Sequence, residues 1–249
     1  MSGWSEQVFR YCERGQDAGF WAEPLNAVSN LGFVVVAGLA ARRLACDDPG
    51  PAVPAGPAVP RRSSLVLLTV LVALIGLGSF LFHTFASRWS RLADVLPIGI
   101  FMIAYLGFAL RSFLGWSWGR ILVAVAVFVS ASGVAASISC SVGPMAITSF
   151  AREPCLKGTM GYAPALVALL LVAALLRRQH PAGPKLLVAA GMFLAAMILR
   201  WVDRDACPYT WLLGSPRGTH ALWHLLNAAT LHVLLGAAFA TRRVALGQR

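Results

Sequence analysis

The chain has 249 residues, 58% of them hydrophobic and only 12% charged, with a mean hydropathy of +0.70. A soluble domain of that length needs far more polar surface, so composition excludes one and leaves a multi-pass membrane protein folded as a single unit over 1–249. The net charge of +11 does not imply a nucleic-acid partner, because the arginines sit at the ends of apolar runs, where they set topology beside anionic lipid.

Residues 1–24 form a polar N-terminal segment without the basic start, apolar core and small-residue cleavage site of a signal peptide, so the first span is expected to direct insertion. Seven apolar runs follow, at Asn26–Leu44, Ser63–Phe85, Ala93–Leu114, Gly119–Cys140, Gly161–Leu176, Lys185–Trp201 and Ala221–Ala240. Each is near the roughly 20 residues that a helix needs to cross a bilayer, the fifth and sixth being a little short. The period-2 alternation of a membrane β-barrel is absent. The expected fold is an all-α bundle of seven transmembrane helices.

Between the first two runs, 47–60 is a Pro/Ala/Gly-rich linker. Basic residues concentrate in alternate connections: Arg42, Arg43, Arg61 and Arg62; then Arg111 and Arg120; then Arg177, Arg178 and Lys185; then Arg242, Arg243 and Arg249 in the tail. The positive-inside rule makes these cytoplasmic, with the linker and the C-terminus, and puts the N-terminus on the external or lumenal side. Abundant Ala and Arg with almost no Lys fits a GC-rich bacterial genome, and the external side is then the periplasm; in a eukaryote it is the ER or Golgi lumen.

Polar residues inside apolar spans are costly and mark function. The first span opens with Asn26 and Asn30, four apart, and Glu23 three before them. This polar stripe reads as interhelical hydrogen bonding in preference to substrate contact. The second span ends in Ser79-x-x-x-His83, and the seventh begins with His220-x-x-x-His224. A spacing of four puts each pair on one helix face, and the topology brings all three histidines to the external side.

Three imidazoles from two distant helices match a catalytic zinc site with its fourth position open. Zinc there would lower the pKa of a water and polarise a carbonyl. Asp94, eleven residues after His83, is placed to move a proton between water and a leaving amine, or to cap the third helix. Ser79 either donates to a developing oxyanion or simply packs.

Of five cysteines, Cys46 falls on the cytoplasmic side and Cys12, Cys140, Cys155 and Cys207 on the external side. Four cysteines allow three connectivities. Closing one loop with Cys140–Cys155 leaves Cys12–Cys207 to tie the N-terminal segment to the connection before the last helix.

The motifs resemble a known family. Glu23-Pro24-Leu25-Asn26-Ala27-Val28-Ser29-Asn30 is similar to the E-x-x-N-x-x-S-N signature of alkaline ceramidases. Gly78-Ser79-Phe80-Leu81-Phe82-His83 with Asp94-Val95-Leu96-Pro97-Ile98 resembles their second motif, and His220-Ala221-Leu222-Trp223-His224 their third. The family belongs to a superfamily of seven-helix membrane hydrolases that includes adiponectin-receptor-like and GPI-remodelling proteins. The resemblance implies zinc on His83, His220 and His224, roles for Asp94 and Ser79 in amide hydrolysis, and cleavage of a ceramide-like lipid into a fatty acid and a sphingoid base. It also implies a calcium site in the N-terminal segment, for which Glu13, Asp17 and Glu23 are the candidate ligands; the alternative is a solvated loop whose acids form salt bridges with Arg10 and Arg14. The match there is incomplete, with Arg10 where the family offers an acid and a loop one residue shorter. The competing readings are hydrolysis of another N-acyl or ester lipid, a seven-helix receptor with a structural zinc, and a metal transporter. Polar residues confined to one half of the membrane argue against transport.

Overall fold

The computed structural model describes residues 3–46, 60–141, 152–176, 180–212 and 214–245. The linker expected at 47–60 lies outside them apart from Pro60, as do Arg177, Arg178 and Arg249. Among the described residues, seven helices are long and apolar enough to cross a membrane. The protein is an all-α membrane bundle.

The first span divides at Asn30 into α1 (Pro24–Ser29), which starts on a proline, and α2 (Leu31–Cys46). The second is α3 (Arg62–Phe85), the third α4 (Arg88–Ser112) and the fourth α5 (Trp118–Ser137). The fifth begins as a 3-10 segment over Cys155–Tyr162 and continues as α6 (Ala163–Leu175). The last two are α7 (Gly183–Val202) and α8 (His220–Ala245).

Several boundaries differ from those expected, and two of them have a clear local reason. The fourth helix stops at Ser137 because Ser139–Ser141 (β1) leaves it to pair antiparallel with Arg152–Pro154 (β2). A Cys140–Cys155 disulfide, Cα to Cα 4.9 Å, lies beside this pairing. The third helix starts at Arg88 because Ser87 caps it: the Ser87 hydroxyl accepts from the Ser90 backbone N–H, and the Ser90 side chain accepts from the Ser87 N–H. Asp94 is therefore not a cap but an interior residue of the second turn, buried against α3.

The turn from α3 to α4 consists of Ala86, in the left-handed region at φ 45°, and Ser87. Its tightness brings the end of α3 and the start of α4 to the same level. Gly78 allows the closest approach: a Cβ there would lie 2.0 Å from the Ala93 carbonyl oxygen and 3.2 Å from the Asp94 nitrogen. The motif glycine thus lets Asp94 sit next to Ser79.

The N-terminal segment is pinned across this end of the bundle. The Val8 N–H donates to Ala86 O at 2.6 Å and the Arg88 N–H to Glu6 O at 3.0 Å. A Cys12–Cys207 disulfide, Cα to Cα 5.6 Å, fastens the segment to the connection between α7 and α8. That connection also carries a short hairpin of β3 (Trp211–Leu212) and β4 (Ser215–Pro216). Asp203 joins the same parts by accepting from the backbone N–H groups of Cys12 (3.0 Å), Thr219 (2.8 Å) and His220 (2.9 Å), so its carboxylate caps α8.

The apolar core runs down the bundle axis through Leu65, Leu68, Val72, Leu186, Ala189 and Leu235. Val35, Leu77, Leu122, Val123 and Val127 point outward, as a lipid-facing surface requires.

Replacing Gly78 with Ala should force α3 off α4, with an overpacking cost of about 1–3 kcal/mol. The expected outcome is a lower unfolding temperature in detergent together with reduced activity. An unchanged melting curve would mean that the two helices have room to spare.

Candidate active site

His83 lies in the last turn of α3, and His220 and His224 in the first turns of α8. All three are buried, and each offers a nitrogen within 4.8 Å of the others, a trio that could hold a metal ion. Two of the rings are held from behind. His83 Nδ1 is 2.5 Å from Glu23 Oε2, and His224 Nδ1 is 2.8 Å from Ser29 Oγ. The Ser29 hydroxyl donates to Asn26 O at 2.8 Å, so it accepts from His224. Both Nδ1 atoms are then protonated, and both Nε2 atoms present a lone pair to the centre. His83 Nε2 is buried with no protein partner. Neutral imidazoles fixed in this way are the donor set that zinc takes, with the outer hydrogen bonds that orient such ligands. The third ring, His220, is held by stacking on Tyr11, with centroids 3.7 Å apart and planes 17° from parallel. Burial pushes the Tyr11 phenol up to about 12, so it stays protonated.

Ser79 and Asp94 face the same centre. Ser79 Oγ is 3.4 Å from His224 Nε2, and both residues line a cavity of about 430 Å³ together with His220 and His224. Its deeper wall is apolar, formed by residues such as Phe33, Ile75, Phe101, Leu169, Leu186 and Leu234. The space can take a lipid chain with its polar end at the histidines.

The acids proposed for calcium are not brought together, and among the described residues they form no cluster able to hold a metal. Glu13 accepts from the backbone N–H groups of Leu25 (2.9 Å) and Asn26 (2.8 Å), satisfying the start of α1, and from Arg217 (2.9 Å). Asp17 is exposed and accepts from the Gly19 N–H at 2.7 Å. Glu23 is shared by Arg14, His83 and Asn26.

A cation does occupy the middle of this segment, and it is Arg14. Its guanidinium donates to Glu23 Oε1 (2.5 Å), Asp17 O (3.1 Å), Gly19 O (2.9 Å), His83 O (2.8 Å) and Thr84 O (3.2 Å). These are oxygen donors of the kind that calcium uses, already taken by a fixed side chain. The residues do not fit a calcium ion. Burial alone would push the Glu23 carboxyl up, but His83, Asn26 and Arg14 together hold it below the usual carboxylate range.

Asn26 and Asn30 do not make the interhelical bonds expected of them. Asn26 Nδ2 donates to Glu23 and Asn30 Nδ2 to Asn26 O, because the break at Asn30 leaves the last carbonyls of α1 without helical partners. Ser29, on the same helix, is the residue that reaches across to the histidines. Its position within the first motif was visible in the sequence, though its role was not. Tyr11 and Asp203 carry no such signal in the sequence, since their partners lie far away along the chain, whereas a salt bridge to Arg14 is the alternative to calcium that the sequence offered. Trp223, between the two histidines, packs against Tyr162 and Phe193.

Three outcomes test these roles. Glu23→Gln should weaken metal binding about 10–100-fold, as loss of an outer-shell carboxylate does, measured by competition with a chelator. Addition of calcium or of a calcium chelator should leave the melting temperature and activity unchanged. An occupied site at 100 times its Kd would add about 2.7 kcal/mol of stability, which a melting curve would reveal. Arg14→Ala should instead destabilise by about 3–5 kcal/mol, because it strands a buried carboxylate.

No curated protein matches the chain. The model of one family, described as Ceramidase, matches residues 9–246. That match takes in Glu23, Ser79, His83, Asp94, His220 and His224, the residues that converge here, and covers almost the whole length; the chain belongs to the Ceramidase family.

Proposed function

We propose that the protein is a zinc-dependent intramembrane amide hydrolase that cleaves a ceramide-like N-acyl lipid into a fatty acid and a sphingoid base. The observation that carries this reading is the trio His83, His220 and His224, with two rings oriented from behind, beside Ser79 and Asp94 at the end of an apolar cavity. Membership of the Ceramidase family supports the amide bond and the lipid class.

His83, His220 and His224 would hold the metal, which when bound supplies Lewis-acid activation of a water and of the amide carbonyl. The chain does the rest. The apolar wall takes the acyl chain and sets the amide at the level of the histidines. Asp94 accepts a proton from the water as its oxygen bonds to the carbonyl carbon. The Ser79 hydroxyl donates to the carbonyl oxygen as it becomes negative. Asp94 then returns the proton to the nitrogen as the C–N bond breaks, releasing a neutral amine and a carboxylic acid. Burial among Phe82, Trp223 and Tyr11 keeps bulk water from competing.

The positive-inside pattern supports an external site, with the N-terminus on that side and the C-terminus in the cytoplasm. In a bacterium this is the inner membrane with the site toward the periplasm. The seven helices act as one unit in this reading, because the residues that would bind the metal come from the second span and the seventh.

The test is metal analysis with lipid turnover on purified wild type and His220→Ala. The expected result is close to one zinc per chain and fatty acid release from labelled ceramide, both lost in the variant. Zinc without release of fatty acid from any N-acyl lipid would sink the hydrolase and favour a structural metal. Full activity in His220→Ala would remove the trio from the chemistry.

A further inference from the structure

The mouth of the catalytic cavity carries more positive charge than a neutral lipid requires. Arg10, Arg91 and Arg200 line the same cavity as His220, His224 and Asp94. A second recess, of about 290 Å³, adjoins it through the shared residues Arg10, Tyr11 and Arg200, and adds Lys157 and Arg204. The acid in that recess, Asp203, already accepts three backbone N–H groups. Lys157 is matched by Asp205 at 2.7 Å, but among the described residues no carboxylate pairs with Arg10, Arg91 or Arg200.

Arg200 is held firmly without an ion pair among the described residues, and Asp94 on the wall of the same cavity offsets only part of the charge of three arginines. The Arg200 guanidinium lies over the rings of Tyr162 (5.5 Å) and Trp223 (5.6 Å) and donates to Thr159 Oγ1 at 3.0 Å. Arg10 reaches the same space with no hydrogen bond to the described residues. Burial, and then the nearby positive charge of Arg91, pushes its guanidinium below the ordinary value. Like charges gathered at the edge of an apolar cavity are relieved by an anion, and guanidinium forks suit carboxylates and phosphates.

We propose that this recess binds an anionic group on the headgroup side of the scissile amide, so that the preferred substrate is an N-acyl lipid bearing a phosphate or carboxylate and not neutral ceramide. The inference rests on the hydrolase reading above and narrows its substrate class.

The experiment compares three lipids of equal acyl length on the full-length protein in the same neutral detergent: ceramide, ceramide with a terminal phosphate, and an N-acyl amino acid. One of the anionic lipids should have the higher kcat/KM. Arg10→Gln should reduce that preference roughly tenfold through KM, the effect of losing one hydrogen bond to a charged group. Arg200→Gln should act in the same direction. Equal or better turnover of ceramide by wild type, or a preference untouched by Arg10→Gln, overturns the proposal while leaving the hydrolase intact. An Arg10→Gln effect confined to inhibition by added fatty acid or inorganic phosphate also overturns it, because the anion recognised would then be the product or a free ion.

Binding of the same lipids to His220→Ala separates the two readings when turnover is absent. Tighter binding of an anionic lipid, lost on adding Arg10→Gln, supports the recess by itself, and equal binding of all three overturns it.

Discussion

A carboxylate taken out of water stays charged only where positive charge and hydrogen-bond donors surround it. Glu23 is such a group, and three parts of the molecule meet on it. Arg14 brings the N-terminal segment, His83 brings the end of α3, and Asn26 belongs to the helix that Glu23 itself begins. One turn further on, Ser29 reaches His224 on α8. The first helix therefore does not line the site so much as aim it, since two of the three imidazoles take their direction from residues within a single short helical stretch. The side chains that would contact a metal are useful only because this layer behind them is rigid.

The rest of the bundle follows from keeping that polar cluster at one end. Below the histidines the interior is leucine, alanine and phenylalanine, and the outward faces are equally apolar. The cavity therefore has its imidazoles, Ser79 and Asp94 at one end. In the proposed reaction that end fixes where along a lipid a bond is cut, and whatever lies just beyond the histidines sets specificity for the headgroup. In this chain that is a group of arginines.

Much of this was legible in the residues. Helical spacing gave Ser79 with His83, and His220 with His224, their common faces, and the alternation of arginines gave the two pairs a common level. Periodicity also explains what was hidden. It reports which face a residue occupies but not what stands opposite. Asp94 was ambiguous between cap and reactant until Ser87 proved to be the cap. Glu13, Asp17 and Glu23 were candidate cation ligands because the family resemblance implied a calcium site in this segment and they are its acids. In the fold, one caps a helix, one bends a loop and one orients a histidine. The segment does surround a positive charge, but the chain supplies it as Arg14, and no spacing rule distinguishes a buried guanidinium from a solvated one.

The bond between Cys12 and Cys207 joins positions 195 residues apart, and the same junction holds Asp203 against the start of α8. The first of its partners is made long before the second. The full histidine trio cannot exist while α8 is still within the ribosome and translocon. A nascent chain with six helices inserted lacks His220 and His224 and also the part of the cavity wall that Leu231 and Leu234 of α8 supply. Assembly of the site is thus coupled to insertion of α8.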